Sequence, residues 1–363
     1  MSNPDFKYMA QALKLAQRGQ FTTDPNPAVG CVLVKDQRVI AEGWTQRAGH
    51  AHAEVHALSQ TESAAGATAY VTLEPCNHQG RTGPCTEALI KAGIVRVVMA
   101  MQDPNPLVSG QGMQRLLDAG LAVDSGILEQ EAKLLNQGFF KRMQTGLPWV
   151  RSKLAMSLDG RTALANGVSQ WISSPESRLD VHRYRAASSA VLSGITTVLA
   201  DDPGLDARVD FDCEAPVKVI LDSRLQLPTT AKVLQTPGAV WIFAAPDHDT
   251  LKAELLEKLG CRIFTVAKNS EGLDLAEVFA ELGRQQVNTV WVEAGAKLNA
   301  SLLNSGLVDE WLFYMAPCLL GDQARGLFQL PVLTEMSQKT LLSIKQCRQI
   351  GPDLRLILTQ TLV

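Results

Sequence analysis

Apolar runs and helical periodicities alternate almost from the first residue of this chain. Phe6, Met9, Ala10, Leu13 and Ala16 recur at helical spacing, which predicts a helix over 4–18, with Asn3 as cap, Pro4 in its first position and Gly19 as its stop. AVGCVLV (28–34) follows a loop with two prolines and reads as a buried strand; KDQR turns the chain and VIAEGW (39–44) returns as its hairpin partner. His52–Ser59 is helical by pattern and ATAYVTL (67–73) is a strand. A loop from Glu74 to Gly83 then precedes a helix over Pro84–Ala92, stopped by Gly93. IVRVVMA (94–100) is another buried strand, and two short units continue to Met143. Strands alternating with helices predict a layered α/β domain with helices on both sheet faces.

QTGLPW (144–149) punctuates the pattern, so a boundary is expected between 1–146 and 147–363. Beyond it VRSKLAMS (150–157) reads as a strand, and Ser173–Arg185 as a helix capped by Ser173 or Ser174 with Pro175 in its first turn. AVLSG (190–194), VKVILD (217–222), AVWIFAA (239–245), RIFTV (262–266) and TVWVEAG (289–295) are short apolar strands with turns or helical spacers between them, which predicts a mostly parallel sheet. DEWLFYMAP (309–317) and RLILTQTL (355–362) are expected as late, antiparallel strands.

Composition narrows this picture. A length of 363 residues fits two domains, and 46% apolar residues is an ordinary globular share. No apolar run approaches the ~20 residues of a membrane span, and MSNPDFKYMA is not a signal peptide by pattern. Seven scattered cysteines, an odd number, do not suggest a disulfide framework, so a reducing cytoplasm is expected. Net charge is −3 with no basic block, which gives little support to nucleic-acid or membrane binding and points to a small-molecule ligand.

Candidate chemistry concentrates in one stretch. From His50 to Cys85 lie four of the six histidines and two of the seven cysteines. His52, Cys76 and Cys85 offer one imidazole and two thiolates, a set suited to tetrahedral zinc with one position open to water. Glu54, two residues after His52, can stay off the metal and move protons. H-x-E followed by paired cysteines after a proline is the pattern of zinc nucleobase deaminases, although here eight residues rather than two separate the cysteines. Cys85 is expected at a helix start, which favours its thiolate. His56, four residues after His52, reads as a support behind the ligands or as structural. A closed, structural zinc site would need a fourth ligand, which His50 or His78 can supply, but that reading leaves Glu54 without a role. Cys31, Cys213, Cys261, Cys318 and Cys347 read as small hydrophobes.

The second half lacks G-x-G-x-x-G. In VEAGAKLNASLL a strand ends at Glu293, Gly295 permits close backbone approach, and a helix over 297–304 offers its N-terminus to pyrophosphate. Arg185 reads equally as a solvated helix residue, Lys153 as a strand-edge cation and Trp171 as core. Two other readings stay open: a deaminase of tRNA or nucleosides with a targeting domain, and a non-catalytic zinc module joined to a nucleotide sensor.

PNPAVGCVLV, HAEVHAL, TLEPCNHQGRTGPC and MQDPNP resemble the bifunctional deaminase/reductases of riboflavin biosynthesis, in which the longer inter-cysteine loop is the norm. The likeness continues in order through KLAMSLDGRTAL, SQWISSPESR, TTVLADDPGL and VEAG, and so covers nearly the whole chain. It implies a cytidine-deaminase-like three-layer α/β/α domain followed by a dihydrofolate-reductase-like α/β domain. The first would use Zn2+ to deaminate a diaminopyrimidinone carrying a phosphoribosylamino group; the second would use NADPH to reduce the ribosyl chain to ribityl. Asn26 and His78 match base-contacting positions, and the loop with Arg81 lies toward the phosphate. Thr45 stands where many relatives have histidine, which leaves contacts over 45–50 open. Ala155, Trp171, Thr197, Asp201, Ser223 and the run Gly295, Ala296, Lys297, Leu298, Asn299, Ala300 and Ser301 match NADPH contacts. Ser169, Arg185, Leu205, Arg208 and Glu293 match substrate contacts. Lys153 and Glu293 would polarise or protonate the heteroatom beside the carbon that accepts hydride, and the planar fork of Arg185 would suit the substrate phosphate. Reductase halves of this kind usually pair, so a homodimer through that domain is expected.

Overall fold

The computed structural model describes residues 4–78, 83–105, 108–270 and 272–361. The chain divides into two compact units, Met1–Leu147 and Pro148–Val363. Arg81 lies outside the described residues.

In the first unit the order is α1 (Pro4–Gly19), β1 (Gly30–Lys35), β2 (Arg38–Trp44), α2 (Ala53–Leu58), β3 (Thr68–Val71), α3 (Cys85–Lys91), β4 (Arg96–Met99), α4 (Gln111–Asp118), β5 (Ala122–Ser125), α5 (Glu129–Leu135) and α6 (Gln137–Thr145). The strands form one sheet in the order β2-β1-β3-β4-β5. β1 runs antiparallel to β2 and β3, while β3, β4 and β5 are mutually parallel. β1 is buried over Gly30–Val34, as its unbroken apolar run requires of a strand covered on both faces.

Two glycines explain how the layers close. Gly30 pairs with Trp44 and Gly43 with Cys31, so the two glycines face opposite sides of the sheet. A Cβ at Gly30 would stand 1.9 Å from the Ala12 carbonyl oxygen of α1; one at Gly43 would stand 2.3 Å from that of Ala53 in α2. A helix backbone therefore rests directly on each face. α5 packs beside α1, and α3 beside α2. The result is the three-layer α/β/α arrangement that the sequence pattern predicts.

The second unit contains β6 (Trp149–Ser157), β7 (Arg161–Ala163), α7 (Pro175–Ala186), β8 (Ala190–Gly194), α8 (Ile195–Asp201), β9 (Val217–Leu221), β10 (Val240–Ala244), α9 (Thr250–Lys258), β11 (Cys261–Thr265), the short β12 (Lys268–Asn269) and β13 (Gly272–Leu273), α10 (Leu275–Arg284), β14 (Thr289–Glu293), α11 (Ala296–Ser305), β15 (Glu310–Ala316), β16 (Arg325–Gly326), β17 (Leu342–Ile350) and β18 (Asp353–Gln360). Its main sheet has the order β11-β10-β9-β8-β14-β6-β15-β18-β17. Neighbours from β11 through β15 are parallel. β15 was expected to be antiparallel; it pairs parallel with β6, and the reversal comes one strand later, at β18. Strand direction depends on the connection through α11, which a local apolar pattern does not encode.

Ser174 is the cap of α7: its hydroxyl accepts from the Ser177 N–H at 3.2 Å. Buried Asp353 supports that turn, accepting from Ser174 N at 2.8 Å and Ser177 Oγ at 2.6 Å. β14 lies between β8 and β6, although both precede it in the chain. The strand order thus switches there, and crevices at the carboxyl ends of such strands are where open α/β sheets take ligands.

Candidate active sites

The carboxyl end of β3 runs on to Cys76, while His52 caps α2 and Cys85 opens α3. His52 Nδ1 lies 3.5 Å from Cys76 Sγ and 3.4 Å from Cys85 Sγ. Bond lengths of zinc to nitrogen and sulfur place those atoms roughly 3.6 Å apart across a tetrahedral edge, so the triad fits the ion. All three ligand atoms lie within 4.8 Å of one another. His50 and His78 are exposed, and neither joins the cluster among the described residues.

Glu54 follows in the first turn of α2 and is only 4% exposed. Burial, with the nearby Cys76, pushes its carboxyl up to about 7, and it faces the Cys85 thiol. The Cys85 thiol, by its bond to Cys76, holds Cys76 low, at about 4, and His52 adds to the effect. Cys85 itself is raised, by sharing its proton with Cys76 and by burial.

Neighbouring residues hold this corner, and several gave no sign in the sequence. Glu74, buried after β3, accepts from the N–H groups of Asp103, Gly110 and Met113, each at 3.0 Å. One carboxylate thus ties the segment after β4 to the loop leading to Cys76, each such bond contributing about 1.5–3 kcal/mol. Asn136, just before α6, pairs with both backbone groups of Ala28 at 2.8 Å. It clasps the loop that carries half-buried Asn26. Thr45 is buried, and its hydroxyl accepts from Val29 N at 3.2 Å and faces the Val29 carbonyl at 3.5 Å. His56 is structural: its Nδ1 accepts from Trp44 N at 3.2 Å, and its ring stands edge-on to Trp44.

The second unit holds a cavity of about 1470 Å³ at the strand-order switch. Ala155, Trp171, Thr197, Asp201, Ser223, Gly295, Ala296, Lys297, Leu298, Asn299 and Ser301 line it, as do Lys153, Ser169, Arg185, Arg208 and Glu293. Ala300 and Leu205 are buried behind its wall and do not line it. Gly295 caps α11, whose N-terminus opens on this space. Asn299 locks the joint, accepting from Ser152 Oγ at 2.9 Å and donating to the Ala294 carbonyl at 2.9 Å. Trp171 is 69% exposed at the rim, with the Arg178 guanidinium 4.5 Å from its ring, so it is not core.

Lys153 and Glu293 are direct partners across β6 and β14. Arg185 spans the Glu293 carboxylate, Nε to Oε1 at 2.6 Å and Nη2 to Oε2 at 2.8 Å, while its Nη1 donates to the Asp206 carbonyl at 2.9 Å. The fork expected to face the substrate phosphate is thus engaged by Glu293. Burial works to raise the Glu293 carboxyl, but Arg185 and Lys153 outweigh it and hold it at about 2. Burial lowers the Lys153 ammonium against the opposing pull of Glu293. Arg208 meets His182 instead, its Nη2 2.9 Å from His182 Nε2.

A metal corner with an adjoining acid, and a switch-point cavity ending on a helix N-terminus, fit the zinc-dependent nucleobase deaminase domain and the dihydrofolate-reductase-like domain that the resemblance implies. Residues 2–101 match the family described as the cytidine and deoxycytidylate deaminase zinc-binding region, and residues 148–356 match the RibD C-terminal domain. The riboflavin biosynthesis protein RibD of Escherichia coli is 50% identical over 96% of this chain and 97% of its own length; that of Haemophilus influenzae is 49% identical over 99% and 98%. Among solved structures, Acinetobacter baumannii RibD superposes with a TM-score of 0.92 at 46% identity, covering 99% of each chain. A Thermotoga maritima diaminohydroxyphosphoribosylaminopyrimidine deaminase/5-amino-6-(5-phosphoribosylamino)uracil reductase does so at 0.86 and 30% identity, again over 99% of each. The chain belongs to the RibD family, the bifunctional deaminase/reductases of riboflavin biosynthesis. It is accordingly a two-activity enzyme that uses zinc for the first reaction and NADPH for the second.

Proposed function

We propose that the two reactions divide between the two units, deamination of the diaminopyrimidine ribotide in residues 1–146 and reduction of its ribosyl chain in 147–363, with the following roles. His52, Cys76 and Cys85 hold zinc, which when bound supplies a Lewis acid and lowers the pKa of a water. Glu54 takes the proton of that water and returns it to the departing amine; a carboxyl near neutrality is suited to both transfers. Asn26 and His78 orient the base. The observation that carries this reading is the position of Glu54, buried against the triad yet not one of its three ligands.

In the second unit, Ala155, Trp171, Thr197, Asp201, Ser223 and Gly295–Ser301 seat NADPH, with the N-terminus of α11 toward its pyrophosphate. Ser169, Leu205 and Arg208 position the ribotide. Arg185 acts by fixing Glu293. Lys153, a buried ammonium facing a permanent carboxylate, gives a proton to the heteroatom beside the carbon that receives hydride.

The enzyme works as a homodimer through the reductase unit. β17 is a nine-residue strand at the sheet edge, and its residues are exposed on both alternating faces. Ile344 is 63% exposed on it, and Val332 and Met336 in the preceding segment are 91% and 76% exposed. An open edge flanked by apolar side chains favours strand pairing with a second copy. A reducing, cytoplasmic setting suits seven free cysteines.

The decisive assay supplies the diaminopyrimidine ribotide and follows ammonia release and NADPH loss separately. Ammonia release that depends on zinc, followed by NADPH loss that requires the deaminated product, is expected. Ammonia release that survives full removal of zinc would overturn the assignment.

A further inference from the structure

We infer that Trp291 is a positioning residue of the reductase site, holding the Glu293 carboxylate in place through its indole N–H; this rests on the reading that Glu293 acts in that site. Trp291 and Glu293 are two residues apart on β14 and so face the same side of the sheet. Trp291 Nε1 donates to Glu293 Oε1 at 2.8 Å, and the ring is fully buried. Arg185 reaches the same oxygen with Nε at 2.6 Å, so Oε1 carries two donors and Oε2 a single one. Two donors on one oxygen fix the carboxylate plane, and with it the direction in which Oε2 is presented to the cavity.

The indole is held as firmly as the group it orients. Tyr184 stacks on it at 4.8 Å between ring centroids and 11° between planes. The guanidinium groups of Arg151 and Arg355 stand 5.8 and 5.5 Å from the Tyr184 ring. Consecutive residues of α7 thus serve one purpose: Tyr184 holds the indole and Arg185 holds the carboxylate. The charged groups facing Glu293 are Lys153 from β6 and Arg185 and His182 from α7, while Asp206, beyond α8, meets Arg185 and His182 rather than Glu293. Among these, the indole is a neutral donor of fixed direction. It aligns the carboxylate without adding charge that would compete with Lys153.

Full-length Trp291→Phe removes the N–H and keeps an aromatic ring; Trp291→benzothienylalanine removes it and keeps the volume. Loss of one bond to a charged acceptor should lower the reductase kcat roughly tenfold or more. The NADPH dissociation constant and ammonia release should stay at wild-type values. In protein labelled with 15N at tryptophan, the indole resonance missing from Trp291→Phe should shift in Glu293→Gln, where the acceptor loses its charge. If Glu293→Gln leaves the reductase unaffected, the underlying role of Glu293 fails. If Glu293→Gln abolishes reduction but both position-291 variants reduce normally, or the indole resonance ignores Glu293→Gln, the role of Trp291 fails while that of Glu293 stands. A packing role alone would weaken NADPH binding or stability in Trp291→Phe and leave the benzothienyl variant normal.

Discussion

At the scale of single residues, the chemistry depends on groups whose environments are set by one or two neighbours. Glu54 is buried beside the triad and is not a member of it. Glu54→Gln should therefore keep zinc, measured by metal analysis, while ammonia release falls by roughly 100-fold or more; normal release would remove Glu54 from the proton path. Glu293 differs, because Arg185 holds its carboxyl at about 2 against the opposing effect of burial. Its stabilising contribution is complete above the ordinary glutamate range, near pH ~4.3, and is lost as pH falls from there through about 2. Acid titration of the folded protein should show Glu293→Gln losing less stability over that interval than the wild type. The grouping of His52, Cys76 and Cys85 was legible from residue type and the H-x-E start, with the longer cysteine spacing explained only by the family resemblance. Asn136, Glu74 and Trp291 were not: each acts on a partner by an orientation that no local pattern encodes.

At the scale of elements, β8 was legible to its last residue and β14 nearly so, since continuous apolar runs between turns have few other uses. β17 was missed. Its sequence, LSIKQCRQI, is exposed from Ser343 to Gln349, so it carries no burial signal for pattern reading to detect. The closeness of α2 to the sheet was equally invisible until backbone distances showed what Gly43 permits. A methyl group there meets the α2 backbone at 2.3 and 2.4 Å, and α2 carries Glu54 and is capped by His52. Gly43→Ala should cost about 1–3 kcal/mol in thermal or chemical unfolding and lower zinc affinity with it. Gly30→Ala, which presses on α1 instead, should destabilise to a similar extent with less effect on the metal. Equal zinc loss in both variants would show that α2 is not held by the contact at Gly43.

At the scale of the whole molecule, two units with separate cores imply activities that fail separately. Chelation should stop ammonia release yet leave NADPH oxidation on pre-deaminated substrate unchanged; parallel loss of both would contradict the division. Ile344→Lys on β17 should shift the protein toward monomer in sedimentation, whereas an unchanged dimer would place the contact elsewhere. The clasp of Asn136 on Ala28 bears on where the first unit can be cut. The zinc-binding family match stops at residue 101, but the side chain that fastens the Asn26 loop enters 35 positions later. A fragment trimmed to the recognisable motif would keep the His52, Cys76 and Cys85 cluster and still leave the Asn26 loop unbuttoned, so a deaminase piece is expected to need Asn136 and is best cut at the unit boundary, Leu147.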